Sequence, residues 1–470
     1  MKSSQHTTSP EVRPFVQEIG RWPLALIHLH QRLAPYFARP EPRQHALLYL
    51  QAIISEIKRK NSWQIAEHAK QARPYGMQRL LSRAIWDEDG VRDEVRTFIL
   101  RCLSPPSFRH SGEQSPDAPE APFPALVMDE SGFPKRGTKS AGVHKQYCGA
   151  TGQVENCQVG VFLSYVTAQG HALIDRALYL PEDWITDTAR RQAAHIPETV
   201  TFQTKPELAK LMVQRAQSAS LPISWVVADT VYGHSTDLRL WLEAQGYFYA
   251  LAVPANEVVC IQNAQGAYRL AEVASLEQQE LSAQDWHRLS MSQGTKGERQ
   301  FDWAMLPLVL HGTVDGCHWL VIRRCIDDPS QRAYYLVFAA PGTSLHTMVL
   351  AIGARWSVEV DFENAKDLGL DHYEVRSYVG WYRHITLVLL AAAFLLSICV
   401  QASHPACQPE EPVPSALLIP LTTSEVRHLL ACLIWPVPSC APLICQWSWW
   451  RRAQQYWAGY YHRRRRLRAR

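Results

Sequence analysis

The sequence contains no Cys-x-x-Cys pair and no histidine spacing of the zinc type, although eleven cysteines are scattered along its 470 residues. An odd, dispersed set argues against a disulfide framework and against structural zinc, and fits reduced thiols in the cytoplasm. Also missing are a Gly-x-x-x-x-Gly-Lys loop to cradle a nucleotide and a Gly-x-Ser-x-Gly elbow to present a serine. ATP-driven chemistry and covalent serine catalysis therefore lack their usual signatures. The first residues have no apolar core of the signal-peptide kind, and no internal repeat is visible. Long apolar runs are scarce as well. The one of membrane length, residues 385–402, is interrupted by Thr386, Ser397 and Gln401. At the lower limit of what spans a bilayer, it reads as a buried core helix, so no membrane partner is expected.

What is present describes a folded protein of several units, with 47% hydrophobic residues and a net charge of only +4. The charge is unevenly placed. Residues 451–470 carry eight arginines and no acid, including Arg463, Arg464, Arg465 and Arg466 in succession. A polyanion is the natural partner of such a segment.

Periodicity divides the chain. Residues 1–103 read as a helical DNA-binding domain, with Asn61 offering an N-cap and Arg79 and Arg83 on the second of two short helices that would suit a helix-turn-helix reader. A helical bundle with a polar surface fits the same residues equally well. Residues 104–122, rich in Pro, Ser and acids, form a linker. Residues 123–254 then alternate strands and helices: a strand at 125–129, a hairpin at 157–180, helices at 205–218 and 235–245, and strands at 224–229 and 247–253. Residues 255–342 read as a β-rich insertion, helices resume over 343–404, and 405–470 form a small, basic, helical C-terminal region. The fold class is thus α/β, a mixed sheet flanked by helices.

Three acids stand out. Asp129 and Asp229 each close a short apolar run, which reads as a strand ending in a charge. Glu359 lies on a helical stretch whose charged stripe also carries Arg355, Glu363 and Lys366, while Val358, Phe362 and Ala365 face a core. Carboxylates gathered at one sheet edge hold hard divalent cations through oxygen. Glu130, in a turn, and Asp361, by helical phase, should point away, exposed to solvent or supporting the ligands from behind. Lys135 and Arg136 follow the first aspartate and could meet a phosphate or simply face water.

The segments Asp129-Glu-Ser-Gly-Phe-Pro-Lys-Arg-Gly, Asp229-Thr-Val-Tyr-Gly and Arg355-Trp-Ser-Val-Glu-Val-Asp-Phe-Glu-Asn-Ala-Lys366 resemble, in order and spacing, the DDE transposases of bacterial insertion sequences. The resemblance is closest to the IS-four-related group of seven-oh-one type. It extends through Tyr147-Cys-Gly-Ala-Thr-Gly-Gln-Val-Glu-Asn-Cys, Leu180-Pro-Glu-Asp-Trp and Arg376-Ser-Tyr-Val-Gly-Trp-Tyr-Arg-His, and includes Trp63-Gln-Ile-Ala-Glu and Arg79-Leu-Leu-Ser-Arg-Ala-Ile-Trp-Asp. It implies an RNase H-like core with Asp129, Asp229 and Glu359 as catalytic ligands of two Mg²⁺ ions, Mn²⁺ being the alternative. It also implies phosphate contacts by Arg355 and Lys366. The tyrosine of the family's Tyr, Arg, Glu, Lys signature falls on Ile352, a departure. The implied partners are double-stranded DNA, as terminal inverted repeats and as target, and further copies of the chain, in the cytoplasm on the nucleoid. The implied function is metal-dependent strand cleavage and strand transfer at the ends of an insertion sequence. An inactive DNA-binding descendant, or a nuclease that cuts without joining, are the alternatives.

Overall fold

The computed structural model describes residues 12–103, 124–262, 267–294, 297–309, 317–402, 420–437 and 441–468; the expected linker 104–122 and nearly all of the proline-rich joint at 405–420 lie outside them. The chain divides into two compact units, Met1–Glu94 with Asn364–Arg470, and Val95–Glu363.

The second unit is built on strands β1 (Ala125–Pro134), β2 (His144–Cys148), β3 (Gln153–Thr167), β4 (Gly170–Tyr179), β5 (Trp225–Ala228), β6 (Phe248–Val253), β7 (Val258–Gln262), β8 (Tyr268–Glu272), β9 (His287–Gly294), β10 (Gly297–Pro307), β11 (His318–Arg324) and β12 (Arg332–Phe338). Ten of them make one sheet in the order β2-β3-β1-β5-β6-β12-β11-β10-β9, with β4 also on β3; β7 and β8 form a separate ribbon. The pairs β1–β5 and β5–β6 are parallel and the others antiparallel, so the sheet is mixed. Strand β5, Trp-Val-Val-Ala, is buried at every position, as a short central parallel strand covered on both faces must be. The strands expected in the 255–342 segment are present, and β12 joins them to β6.

Alternation along β3 sorts the helices between the faces. Phe162 and Ser164 point to one side, where Phe162 meets Phe362 edge to face at 5.4 Å and Ser164 donates to Asp361. Leu163 shares the other side with its partner Asp175, which is ion-paired at 2.8 Å with Arg215 of the Lys205–Ser218 helix. That helix starts on a capping box in which Thr204 and Glu207 satisfy each other's backbone N–H groups. The Trp356–Asp367 helix therefore covers one face and the Lys205–Ser218 helix the other.

The first unit is helical. Asn61 caps the Ser62–His68 helix by accepting from the Trp63 and Gln64 N–H groups, and the Tyr75–Ser82 helix follows after a short turn. Gly76 lets that helix approach the Pro40–Ile54 helix, since a Cβ there would sit 2.1 Å from the His45 ring. The apolar run sequence analysis assigned to a core lies in the helix Tyr378–Ala402, and 72% of its most apolar window is buried inside the protein. Its His384 donates from Nε2 to the Gly369 carbonyl and accepts at Nδ1 from the Tyr49 hydroxyl, each at 2.8 Å, so its polar groups are satisfied within the unit.

One close approach in the sheet unit is testable. The turn of helix Thr230–Gly233 that follows Asp229 lies against β6 so tightly that a Cβ on Gly233 would fall 1.9 Å from the Ala252 carbonyl oxygen. Backbone cannot yield as a flexible side chain can. Gly233→Ala is expected to destabilise the protein by about 2 kcal/mol or more, seen as a lower denaturation midpoint; an unchanged midpoint would show that the turn can move.

Candidate active site

Parallel pairing places the two aspartates side by side. The β1–β5 register ends at Met128 opposite Ala228, and the next residue on each strand is Asp129 and Asp229. Neighbouring strands lie about 4.8 Å apart, so the two carboxylates emerge from adjacent positions at one end of the paired segment. The expectation that both strands end there holds for β5 alone. Strand β1 continues for five residues beyond Asp129, because the long β3 keeps pairing with it to Pro134. Asp129 is thus the point at which β1 loses its β5 neighbour, and Glu130, expected in a turn, is a strand residue.

Strand alternation then assigns the faces. Asp129 is paired with Phe162, so its side chain points to the face covered by the Trp356–Asp367 helix, from whose first turn Glu359 projects. Between them lies the Arg355 guanidinium, 3.6 Å from Asp129 Oδ2 and 3.5 Å from Glu359 Oε1. Its Nε is buried and has no hydrogen-bond partner among the described residues. These distances are ion-pair separations rather than tight hydrogen bonds, so the cation sits loosely between two carboxylates.

Glu130 faces the opposite way, as expected, but neither into solvent nor toward the other two acids. Lys205 Nζ donates to its Oε1 at 2.6 Å and the Tyr232 hydroxyl to its Oε2 at 2.8 Å. Asp361 is likewise buried rather than exposed, held by Ser164 and by His171 Nδ1 at 2.8 Å. Each of these acids fixes an element that carries a candidate ligand: Glu130 ties β1 to the turn after Asp229, and Asp361 ties the Glu359 helix to β3 and β4. Sequence reading missed Lys205, Tyr232, Ser164 and His171. Tyr232 was within reach, three residues after Asp229 in a quoted motif; the others depend on register.

Electrostatics distinguish the aspartates from ordinary ion-pair partners. Burial pushes the Asp129 carboxyl up from 3.8 to about 7, opposed by Arg355 and reinforced by the Asp229 charge. Burial also raises Asp229, helped by Glu130 and opposed by Arg355. The backbone N–H groups of Glu130 and Val231, which donate to Asp129 and Asp229 at 2.7 and 3.0 Å, do not offset the loss of water. Two adjoining carboxylates at a half-closed sheet end thus have less positive charge than their ionised forms need. The donor set is all oxygen. It fits hard divalent cations of the Mg²⁺ and Mn²⁺ kind.

The other candidates are spread more widely. Lys366 is half-buried in the last turn of the Glu359 helix, and Glu363 on the same stripe is exposed. Lys135 is half-buried and Arg136 exposed just beyond β1. Arg79 and Arg83 are exposed and line, with Arg39 and His45, a cleft of roughly 470 Å³ in the helical unit. Arg463, Arg464, Arg465 and Arg466 lie on one helix, Ala441–Arg468, on which Arg464 is exposed; the side chains of the other three lie outside the described residues. Ile352, at the tyrosine position, is buried at the end of the Leu345–Gly353 helix, where it serves packing. Apart from these, His428 and Cys432, one helical turn apart, lie with Glu56 so that one donor atom of each falls within 4.8 Å of the others.

The sign of the Asp129 shift gives a prediction. A raised carboxyl penalises the folded protein once the unfolded group ionises near pH 3.8, and the penalty is complete above about pH 7. Asp129→Asn, measured in EDTA, is therefore expected to stabilise the fold at pH 8 by up to about 4 kcal/mol, with the gain shrinking as pH falls and vanishing near pH 4. Destabilisation at pH 8 would contradict the assignment of a strained, charge-poor site.

Comparison with known proteins accords with this geometry. Residues 32–298 match the family described as "DDE superfamily endonuclease", and residues 203–394 match "Transposase DDE domain". The two matches together span Asp129, Asp229 and Glu359. A curated relative, "Probable transposase for insertion sequence element IS701" of Microchaete diplosiphon, is 26% identical over 207 residues, which is 44% of this chain and 47% of the relative. The alignment thus spans about half the length of either protein.

Proposed function

Since the chain belongs to the DDE superfamily of endonucleases, as an insertion-sequence DDE transposase, we propose that it binds the ends of an insertion sequence and uses Asp129, Asp229 and Glu359 to cut DNA strands and transfer them to a target. The observation that carries the reading is the register of β1 and β5, which sets Asp129 beside Asp229 on the sheet whose face the Glu359 helix covers. The strand order supports an RNase H-like core: an antiparallel group, β4-β3-β1, continued by the parallel strands β5 and β6 that helices connect.

The residues divide the work by charge and position. Asp129 and Asp229 supply fixed oxygen donors from the sheet, and Glu359 a more exposed one from the helix, its side chain 44% accessible. Divalent ions bound there, Mg²⁺ being our choice, would supply activation of the attacking oxygen and stabilisation of the leaving oxygen at phosphorus. Arg355 offsets part of the carboxylates' charge. Arg355 stands one residue before the helix that carries Glu359, and Lys366 is in that helix's last turn; each offers a donor to a DNA phosphate. Glu130, Lys205 and Tyr232 keep the two aspartate segments in register. Lys135 and Arg136 meet backbone phosphates near the site, and Arg79 and Arg83, along their cleft, read the element's terminal repeats. The Arg463 to Arg466 run adds sequence-independent attraction to the duplex. In this reading two or more copies of the chain act together on the paired DNA ends, on the nucleoid in the cytoplasm.

Alanine at Asp129, Asp229 or Glu359 is expected to abolish cleavage of end DNA in Mg²⁺ while gel-shift affinity stays near that of the wild type. Affinity comes from phosphate contacts spread over basic residues, whereas cutting needs every ligand. Near-normal cutting by Glu359→Ala would shift the assignment to Glu363. Removal of residues 463–470 should weaken binding to all duplexes alike and flatten its dependence on salt; an unchanged salt slope would exclude the run from the interface.

A further inference from the structure

The distal half of the Ala441–Arg468 helix displays aromatic surface that phosphate attraction does not use. Its proximal half is anchored. Trp447 is buried and donates its indole N–H to the Gln71 carbonyl at 3.0 Å, Trp450 meets Trp63 edge to face at 4.9 Å, and Arg451 pairs with Glu67. At about 100° per residue, Trp449, Tyr456, Tyr460 and Arg464 lie within about 80° of one another on the side opposite Trp447, and Trp457 and Tyr461 flank that band. The exposures are large: 77% for Trp449, 62% for Tyr456, 50% for Trp457, 40% for Tyr460 and 55% for Tyr461. The last four rings touch one another, with Trp457 5.5 Å from Tyr456 and 5.9 Å from Tyr460, centroid to centroid. A continuous band of this kind is unlike the single apolar residues that any surface carries, and it marks a place where something binds.

Charge selects the occupant. The helix contains no acidic residue, and its distal turns carry Arg463, Arg464, Arg465, Arg466 and Arg468. A second copy of the helix would bring no counter-charge to these arginines in either orientation. A polyanion would. Within a duplex the faces of the bases are already stacked, leaving nothing for the rings to cover, whereas unpaired bases offer π-faces and flanking phosphates together. We propose that this band is a stacking platform for unpaired nucleotides, on which the tyrosine and tryptophan rings take bases while the arginines hold the phosphates. The proposal rests on the DNA reading above for the identity of the polymer, but not on the carboxylate chemistry.

The test compares the full chain with its Trp457→Ala/Tyr460→Ala variant, both side chains being exposed and remote from the anchored turns. Affinities for an oligo(dT) and for a duplex of equal length would be measured by fluorescence anisotropy over a salt series. The expected result is about a tenfold or greater loss for oligo(dT), with duplex affinity and both salt slopes unchanged. Equal loss on both polymers, or no loss on either, would overturn the stacking platform while leaving the transposase reading intact. A wild type that binds neither polymer would overturn both. A variant that keeps its oligo(dT) affinity but sediments as a smaller species would assign the band to a second copy, and one that instead loses binding to anionic vesicles would assign it to a lipid surface.

Discussion

Two carboxylates forced together at the end of a parallel strand pair are the constraint around which the sheet unit is arranged. Hydrogen bonding between β1 and β5 fixes Met128 opposite Ala228, so Asp129 and Asp229 cannot separate without breaking the central pairing. Burial then makes their ionisation unfavourable, and Arg355 only partly offsets it. A fold selected for stability alone would place an apolar residue there, because removing an uncompensated buried charge is stabilising. Retaining the two aspartates is intelligible if a cation with more than one charge completes the site, which is the sense in which a perturbed carboxyl in a charge-poor setting points to function.

The surrounding structure serves that arrangement through alternation. Successive residues of β1 send Asp129 to the helix that carries Glu359 and Glu130 to the side where Lys205 and Tyr232 wait. The same rule on β3 places Ser164 under Asp361. A single-residue slip of β1 would exchange the roles of Asp129 and Glu130, so register here determines chemistry as well as packing. The paired network of Glu130 and that of Asp361 hold this register from both faces.

Much of this was legible in the sequence. The apolar runs before Asp129 and Asp229, the capping signal at Asn61, the helix at 205–218, and the apolar face of Val358, Phe362 and Ala365 follow local rules, and each appears in the structure where those rules put it. What escaped reading is non-local. That β1 runs on to Pro134 depends on the length of β3, that β9 to β12 extend the main sheet depends on β12 finding β6, and that Asp361 is buried depends on Ser164 and His171 some two hundred residues away. No window of sequence contains such partners. The approach of Glu56 to His428 and Cys432 escaped for the same reason.

The central claim is that Asp129 and Asp229 form a cation site whose charge is held back by burial. Mn²⁺ binding to the full chain, followed by isothermal titration calorimetry in buffers of different ionisation enthalpy, tests it directly. The account predicts that a binding step releases protons and tightens as pH rises from about 6 toward 8, and that this step disappears in both Asp129→Asn and Asp229→Asn but persists in Glu363→Gln. Binding that is independent of pH, or that survives in either aspartate variant, would contradict it.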